Sequence, residues 1–230
     1  MGFALVLSGG KGVRLGNIIP KQYLEISNKP IIGYCLDTFQ SNDNIDGIYI
    51  VLDDNWKNYV LSYIEENNIS KFKGFASSGV SRSHSILNGL SEMKSHDLLY
   101  NSIVIIHDAA RPNVSHEIIN NCIDKLSEYD CSMPVIPVKD TIYVSNDSKT
   151  ISSLLNRDLL CAGQAPEAIH LDQYLNIMKK LSDDELASIS GTSALAFEYG
   201  LTVGLFPGNE SNYKITTIED LNKFKQEMEL

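Results

Sequence analysis

Apolar runs and amphipathic segments alternate along this chain of 230 residues. Uninterrupted apolar runs bounded by turn-forming or charged residues are typical of buried strands, and they occur at residues 3–9, 45–53, 74–79, 101–112, 131–138 and 201–208. Apolar residues at helical spacing predict helices within residues 30–40, 56–68, 81–93, 115–129, 170–181, 183–200 and 215–230. This alternation predicts an α/β fold, in which helices cover both faces of a mostly parallel sheet.

One stretch departs from the alternation. Residues 140–160 carry β-branched side chains on both sides of a turn signal at Asn146 and Asp147, which predicts a β-hairpin that projects from the main sheet. No repeat, low-complexity stretch or linker divides the sequence. We therefore expect residues 1–230 to form a single domain, with a projecting arm at about 139–160.

The composition argues against several classes of protein. There are 19 Lys and Arg against 29 Asp and Glu, and the resulting net charge of −10 argues against general nucleic-acid binding. The four cysteines form no CxxC pair, so we expect free thiols (Cys35, Cys122, Cys131 and Cys161). No basic segment precedes the first apolar run, and no run approaches the roughly 20 residues that cross a bilayer. We expect a soluble, cytoplasmic protein.

The sequence LSGGKGVRL, residues 7–15, follows the first predicted strand and includes three glycines, a lysine and an arginine. It lacks the GxxxxGK[ST] pattern of a Walker A motif, and Leu15 stands where a GxGxxG dinucleotide fingerprint needs its third glycine. Glycines after a strand still let backbone N–H groups approach phosphate oxygens. Arg14 and the later Lys21 add positive charge that suits a polyphosphate. The alternative is a tight turn with two solvated cations.

Two later segments place polar side chains at junctions where α/β proteins bind ligands. Gly79, Arg82 and Ser85 lie at a loop-to-helix junction that can read the edge of a base, or that is simply a capped helix. Asp108 and Arg111 lie beyond the carboxyl end of a buried strand. A carboxylate there can orient a hydroxyl group or hold Mg²⁺, and the alternative is a surface ion pair.

Two other residues give weaker signals. His107 precedes Asp108 within the buried run, and we expect it to be packed or hydrogen-bonded rather than to act as a base. Lys214, in NYKIT, can supply a phosphate contact, although a lone lysine is weakly informative.

Six stretches, in this order, resemble the cytidylyltransferases that make CDP-polyols, a family that includes the 2-C-methyl-D-erythritol 4-phosphate and ribitol-5-phosphate cytidylyltransferases. They are LSGGKGVRL…PKQYLEI, GVSRSHSILNGL, IIHDAARP, PVKDTI, NRDLLCAGQAPEAI and PGNESNYKITTIEDL, and they cover nearly the whole chain. The resemblance implies a Rossmann-like nucleotidyltransferase fold whose projecting hairpin interlocks two subunits in a homodimer. It implies a magnesium-dependent enzyme that joins CTP to a polyol phosphate and releases pyrophosphate.

The resemblance also implies roles for individual residues. Arg14, Lys21 and Lys214 would hold phosphates and stabilise the pentacoordinate phosphorus. The nucleotide would be bound by the first loop and by the residues that select cytosine (Leu7, Ser8, Gly9, Gly10, Lys11, Gly12, Gly79, Arg82 and Ser85). Asp108 would hold the metal and contact the substrate. The other acceptor-binding residues would be Arg111, Ser190, Thr192 and Arg157, the last of which would reach the partner's site from the arm.

The implied reaction is an in-line attack of the acceptor's phosphate oxygen on the α-phosphorus of CTP. A phosphate monoester is a competent nucleophile near neutral pH, because its second pKa is about 6. Catalysis would then rest on positioning and on charge stabilisation. This accounts for a sequence with no evident Ser/His/Asp or Cys/His arrangement.

Two departures from the family's pattern fall on the acceptor half. Where the family has TPQ after the arm, this chain has APE, from Ala165 to Glu167. The family's Thr-Asp pair before a late helix is Ser190-Gly191 here, or Thr192 in a shifted alignment. Each lost polar contact costs about 0.5–1.5 kcal/mol. We therefore hypothesise an acceptor other than methylerythritol phosphate, such as ribitol 5-phosphate or another polyol phosphate of surface polymers, with methylerythritol phosphate still open.

Other functions stay open on sequence alone. A relative with the same fold could use UTP or GTP and a sugar 1-phosphate, and a panel of nucleoside triphosphates separates these possibilities. A non-catalytic nucleotide-binding protein is compatible with the altered acceptor positions, although binding alone needs fewer cations than Arg14 and Lys21 supply. A nicotinamide oxidoreductase is disfavoured by the missing third glycine.

Overall fold

A computed structural model describes residues 2–10, 19–96 and 102–229. The strands in these ranges are β1 (Gly2–Leu7), β2 (Glu25–Ile26), β3 (Lys29–Pro30), β4 (Gly47–Leu52), β5 (Phe72–Ser77), β6 (Ile103–Asp108), β7 (Cys131–Pro137), β8 (Tyr143–Val144), β9 (Ser153–Leu154), β10 (Cys161–Gly163), β11 (Glu167–His170) and β12 (Val203–Pro207). The α-helices are α1 (Ile31–Ser41), α2 (Lys57–Glu66), α3 (Arg82–Ser95), α4 (His116–Lys125), α5 (Leu171–Met178), α6 (Asp183–Ser188), α7 (Thr192–Glu198) and α8 (Ile218–Met228). Short 3-10 turns lie at Lys21–Tyr23, Asp54–Trp56 and Arg157–Leu159.

Eight of the described strands form the central sheet. From one edge, the order is β5, β4, β1, β6, then β11 continued by β10, then β7 and β12. β5, β4, β1 and β6 pair in parallel, as do β7 and β12, whereas β10 and β11 run antiparallel to their neighbours. The predicted α/β class and mostly parallel sheet are confirmed. The sequence pattern did not predict the two antiparallel strands, β10 and β11.

Alternate side chains of the central strands face opposite layers of helices, as the twofold period of a strand requires. On β1, Ala4 and Val6 pack with α1, α2 and α4, whereas Phe3 and Leu5 pack with α3, α5 and α7. Helix α3 approaches the sheet closely at Gly89, where a Cβ atom would lie 2.6 Å from Cδ1 of Leu5. A third cluster joins α8 to the β2–β3 hairpin and the start of α1. Helices therefore cover both faces of the sheet, as predicted.

Most predicted elements are present, with one clear difference in the second half of the chain. The segment 183–200 folds as two helices, α6 and α7, rather than one. The chain is extended between them, and Gly191 is the N-cap of α7 with φ −169°. Because of this break, the first turn of α7 lies near the carboxyl end of β6 and the start of β11. There Thr192 contacts Arg82, and Ser193 contacts Glu167.

The predicted hairpin is present as β8 paired with β9. Asp147 closes its tip by accepting hydrogen bonds from the backbone N–H groups of Lys149 and Thr150, both at 2.8 Å. Several large apolar side chains of the arm are exposed, including those of Tyr143, Ile151, Leu154 and Leu159. The arm therefore has an apolar surface that the other described residues leave exposed.

The cysteines carry no disulfide, as predicted; three thiols are buried and Cys161 is exposed in β10. Burial raises the pKa of the Cys35 thiol well above its usual value, so this residue packs and does not act as a nucleophile. Within the described ranges, no helix has the length and apolar character needed to cross a membrane.

Candidate active site

A cavity of about 650 Å³ lies at the carboxyl ends of β1, β5 and β6. Ligands of open α/β sheets bind at this edge, where helix N-termini and loop N–H groups converge. Residues from five separate segments line it (Leu7, Gly9, Gly10, Lys21, Gln22, Gly79, Val80, Ser81, Arg82, Ser85, Asp108, Ala109, Ala110, Lys214 and Thr216).

A buried clamp fixes the chain as it leaves β1. The amide nitrogen of Gln22 donates hydrogen bonds to the carbonyl oxygens of Ser8, at 2.7 Å, and Gly10, at 2.8 Å. The hydroxyl of Tyr23 donates to the Ser8 carbonyl at 3.0 Å and accepts from the Ser8 hydroxyl at 2.9 Å. Gly9 passes so close to the residue that follows β5 that a Cβ atom would lie 2.3 Å from Cβ of Ser78. The clamp holds Gly9 and Gly10 at the cavity wall.

The start of α3 forms the opposite lip of the cavity. Ser81 is the N-cap, and its hydroxyl accepts from the N–H of His84 at 3.3 Å. The Ser85 hydroxyl accepts from the N–H of Gly79 and donates to the carbonyl of Ser81, both at 3.0 Å. Val80, between these residues, is 92% exposed. The loop is therefore held from within, and it presents an apolar side chain to the cavity.

Asp108, the last residue of β6, is a carboxylate surrounded by cations. Its Oδ2 accepts from Nζ of Lys214 at 2.9 Å and lies 3.7 Å from Nε of Arg111, and its Oδ1 accepts from Nε of Arg82 at 3.4 Å. Burial alone would raise the pKa of this carboxyl group, but Arg82, Lys214 and Arg111 outweigh burial and hold the pKa well below its usual range. Asp108 is therefore ionised at neutral pH.

The Arg82 guanidinium reaches across the end of β6 to residues far away in the sequence. Besides Asp108, it donates to Oε1 of Glu167 in β11 at 3.2 Å and to the Thr192 hydroxyl at 3.1 Å. Oε2 of Glu167 accepts from both the N–H and the hydroxyl of Ser193, at 2.6 and 2.7 Å. Burial would lower the pKa of Arg82, but Asp108 and Glu167 keep it above its ordinary value. The guanidinium is thus a charged junction of α3, β6, β11 and α7.

A second cavity, of about 430 Å³, lies beside the first and has Lys214 as a common wall. Arg111 lines it and donates from Nη1 to the carbonyl of Asn212 at 2.7 Å. Lys139 and Glu210 form an ion pair at its rim. Two adjoining cavities that share one lysine and have further cations in their walls can hold two anionic ligands side by side.

Most of the residues predicted from the sequence meet at these cavities. Seven predicted residues from β1, α3 and their loops, together with Asp108 and Lys214, line the first cavity (Leu7, Gly9, Gly10, Lys21, Gly79, Arg82 and Ser85). Ser8 lies buried beneath it, Thr192 lies buried behind Arg82, and Arg111 lines the second cavity. Lys11, Gly12 and Arg14 lie outside the described residues, so their predicted roles stay predictions.

Two predicted acceptor residues lie apart from the cavity walls. Ser190 is exposed between α6 and α7 and is not among the described residues that line either cavity. Arg157 is exposed at the base of the arm, where its Nη1 donates to the carbonyl of Lys139 at 2.9 Å. His107 is fully buried, with Nε2 against the Arg111 carbonyl at 2.9 Å, and burial lowers its pKa to about 4. It is the packed residue that we expected.

Sequence reasoning missed the parts of the site that work through hydrogen bonds. Gln22 and Tyr23 stand beside Lys21 in PKQYL, but neither carries a charge that draws attention to it. Glu167 was noted only as a departure, and its contact with Arg82 joins residues 85 positions apart. The apolar pattern around Glu167 gives no signal for this pairing.

Comparisons with known proteins agree with this geometry. The family model of IspD, 2-C-methyl-D-erythritol 4-phosphate cytidylyltransferase, matches residues 3–229. The enzyme of that name from Clostridium botulinum is 36% identical over 218 residues, which cover 95% of each chain. The ribitol-5-phosphate cytidylyltransferase of Vibrio parahaemolyticus is 32% identical over 226 residues, 98% of this chain and 94% of the relative.

The fold agrees as well. The crystal structure of 4-diphosphocytidyl-2C-methyl-D-erythritol synthase from Anaerococcus prevotii superposes with a TM-score of 0.84 at 23% identity, and it covers 100% of this chain and 96% of that one. The architecture is therefore the Rossmann-like nucleotidyltransferase fold that the resemblance implied. The chain belongs to the 2-C-methyl-D-erythritol 4-phosphate cytidylyltransferase family.

Proposed function

We propose that this protein transfers the cytidylyl group of CTP to the phosphate of a polyol phosphate and releases pyrophosphate. The observation that carries the proposal is the pair of adjoining cavities that share Lys214. In this proposal the first cavity takes a nucleoside triphosphate, and the second is lined by further cations. Relatives named for methylerythritol phosphate and for ribitol 5-phosphate support an acceptor of this class.

CTP occupies the first cavity in this proposal. The clamped backbone at Gly9 and Gly10 lies against the triphosphate, together with Lys21. The base lies at the lip formed by residues 79–85, where Val80 offers an apolar contact and the backbone offers polar atoms. Selection of cytosine by this lip is part of the proposal.

The acceptor phosphate occupies the second cavity, between Arg111, Lys139 and Lys214. Its oxygen attacks the α-phosphorus in line, and the bond to the pyrophosphate oxygen breaks. The nucleophile is a phosphate monoester, whose second pKa of about 6 leaves it ionised at neutral pH, so no side chain has to remove a proton. The protein supplies positioning and positive charge, and Lys214 is placed to contact phosphates of both substrates.

Asp108 fits a role in holding Mg²⁺. Magnesium in nucleotide sites is bound by one or two carboxylates together with substrate phosphates. Asp108 is the carboxylate among the described residues that line the first cavity, and it is ionised there. A bound magnesium ion would neutralise charge on the triphosphate.

The arm supports a homodimer in this proposal. Its exposed apolar side chains need a partner surface, and Tyr143 and Leu154 are cross-strand neighbours on it. Arg157 at its base would then approach the acceptor cavity of the partner subunit. We place the reaction in the cytoplasm, where CTP is made.

A pyrophosphate-release screen tests the proposal. CTP, UTP and GTP are each offered with Mg²⁺ and with ribitol 5-phosphate, 2-C-methyl-D-erythritol 4-phosphate or a sugar 1-phosphate. We expect turnover only with CTP and a polyol phosphate, fastest with an acceptor other than the methylerythritol compound. Binding of CTP without turnover on any acceptor would indicate a non-catalytic protein, and turnover with UTP or GTP and a sugar 1-phosphate would overturn the substrate assignment.

A pair of variants separates chemistry from folding in the same assay. Lys214→Met should lower kcat/KM by at least about 100-fold, because the lysine contacts the charge that develops in transfer. Lys225→Met removes the same charge from the exposed face of α8 and should leave kcat/KM unchanged. Equal activity of the two variants would remove Lys214 from the site.

A further inference from the structure

A carboxylate lies among the cations of the second cavity. Arg111, Lys139 and Lys214 line that cavity, and Glu210 is the one acidic side chain among the described residues that do so. Glu210 forms an ion pair with Lys139. The hydrogen bond and the charge of Lys139 lower the pKa of the Glu210 carboxyl group, so this group is ionised at neutral pH. An anion that enters this cavity therefore meets a negative charge, which a site for a phosphate alone does not need.

The main chain on both sides of Glu210 is held in place. Before it, the buried side-chain amide of Gln164 donates to the carbonyl of Asn209 at 2.8 Å and accepts from the N–H of Asn209 at 3.2 Å. After it, the buried side chain of Asn212 donates to the carbonyl of Ala165 at 2.8 Å. The Glu210 side chain itself is 66% exposed. Its backbone therefore stays at the cavity, while its carboxylate has room to change partners.

The three cations of the second cavity differ in how they are held. Arg111 and Lys214 both lie against Asp108, which belongs to the wall of the first cavity. Lys139 instead pairs with Glu210, and its side chain is 72% exposed. A phosphate that binds all three cations therefore has to draw Lys139 away from Glu210. The loss of this ion pair is the same for every dianion of similar shape, whether or not the dianion carries a polyol.

We propose that Glu210 is a specificity-determining residue: it disfavours simple anions in the second cavity, and it accepts a hydrogen bond from a hydroxyl group of the polyol once Lys139 has turned to the phosphate. The proposal rests on the proposed function, because it takes this cavity as the acceptor site. A carboxylate accepts stronger hydrogen bonds from hydroxyl groups than a neutral oxygen does. Sulfate has the shape and charge of a phosphate but no hydroxyl group, so it leaves the released carboxylate without this bond.

Sulfate is therefore the probe for the test. CDP-polyol formation is followed by chromatography at saturating CTP and constant ionic strength, and sulfate is titrated as an inhibitor that competes with whichever polyol phosphate the protein uses. Glu210→Gln should lower the Ki of sulfate by about fivefold, because a negative charge beside the anion is removed. The KM for the polyol phosphate should fall less, because the amide accepts a weaker hydrogen bond from the hydroxyl group. The ratio of this Ki to this KM should therefore fall by at least about twofold.

Further variants assign the effect to the pair of Glu210 and Lys139. Glu198→Gln removes a carboxylate from the exposed end of α7 and should leave the ratio unchanged. In a Lys139→Met background, Glu210→Gln should lower the Ki of sulfate by less than it does when Lys139 is present, because no ion pair is left to break. An equal effect in both backgrounds would indicate general repulsion by Glu210 and would overturn the exchange of partners.

The outcomes separate this proposal from the one on which it rests. Turnover of the polyol phosphate by Glu210→Gln with an unchanged Ki for sulfate would overturn the role of Glu210 and leave the proposed function standing. An equal fall in the Ki of sulfate and in the KM for the polyol phosphate would also overturn it, because the carboxylate would then make no contact with a hydroxyl group. No turnover of any polyol phosphate by the wild-type protein would overturn both proposals.

Discussion

The clamp at Gln22 gives a prediction whose size follows from the structure. Replacing Gln22 by leucine keeps a buried side chain of similar size but removes both hydrogen bonds to the carbonyls of Ser8 and Gly10. The Ser8 carbonyl keeps its bond from the Tyr23 hydroxyl, whereas the Gly10 carbonyl loses this partner. At about 0.5–1.5 kcal/mol for each bond, the variant should lose about 1–3 kcal/mol of unfolding free energy.

The same change should affect the nucleotide. Fixing one residue's backbone costs about 1–2 kcal/mol of conformational entropy. If the variant leaves one residue of the glycine segment unordered, CTP binding has to supply this free energy, and the KM for CTP should rise by about fivefold to thirtyfold. The KM for the acceptor should move far less, because the clamp lies on the opposite side of β6 from the second cavity.

Urea unfolding measures the first effect and steady-state kinetics the second. Trp56 is the single tryptophan of the chain and stacks on Tyr23 with ring centroids 4.4 Å apart, so its fluorescence reports on the clamp itself. Gln226→Leu, on the exposed surface of α8, is the control. A loss below about 0.5 kcal/mol together with an unchanged KM for CTP would refute the clamp as a positioning device.

Three further predictions concern other parts of the site. Lys21→Ala should lower kcat by at least about 100-fold in the pyrophosphate assay if its charge acts on the transition state, and a change confined to KM would contradict that role. Asp108→Asn should lower the unfolding free energy at neutral pH, because three cations lose a common partner. The folded-state pKa of Asp108 is depressed, so its contribution to stability is present above the unfolded carboxyl pKa of about 3.9 and is lost as the pH falls through the lower folded value. In urea unfolding, the difference in unfolding free energy between the wild-type protein and the variant should be constant from pH 6 to 8 and should shrink below about pH 4. Leu154→Glu, on the exposed arm, should yield monomers by light scattering, and an unchanged mass would remove the arm from the interface.

The sheet and one side of the site could be predicted because they depend on order along the chain. A buried run followed by a charged residue places Asp108 at the carboxyl end of a strand, and glycines after the first strand place the backbone at the same edge. Parallel pairing then brings the two together without further information. The resemblance to the cytidylyltransferase family indicated the substrates, which the spacing of the residues alone did not indicate.

The contacts of Arg82 with β11 and α7 could not be predicted in this way, because they join residues that no local pattern relates. Arg82 and Thr192 are 110 positions apart, and their hydrogen bond depends on the chain break before α7 and on the insertion of β11 beside β6. A short strand such as Glu167–His170 carries too few residues to show a period. For the same reason the contact between Glu167 and Arg82 is visible only once the strands are in register.

The wall that Lys214 forms between the two cavities has a consequence for inhibitor design. A single compound that carries a cytidine phosphate at one end and a polyol phosphate at the other would reach both cavities across one side chain. Joining two fragments makes the second contact intramolecular, and a short linker corresponds to an effective concentration on the order of millimolar. Such a bisubstrate ligand would bind more tightly than either fragment because the two cavities adjoin at Lys214. Changes to its polyol end would alter its selectivity while the nucleotide end stays the same.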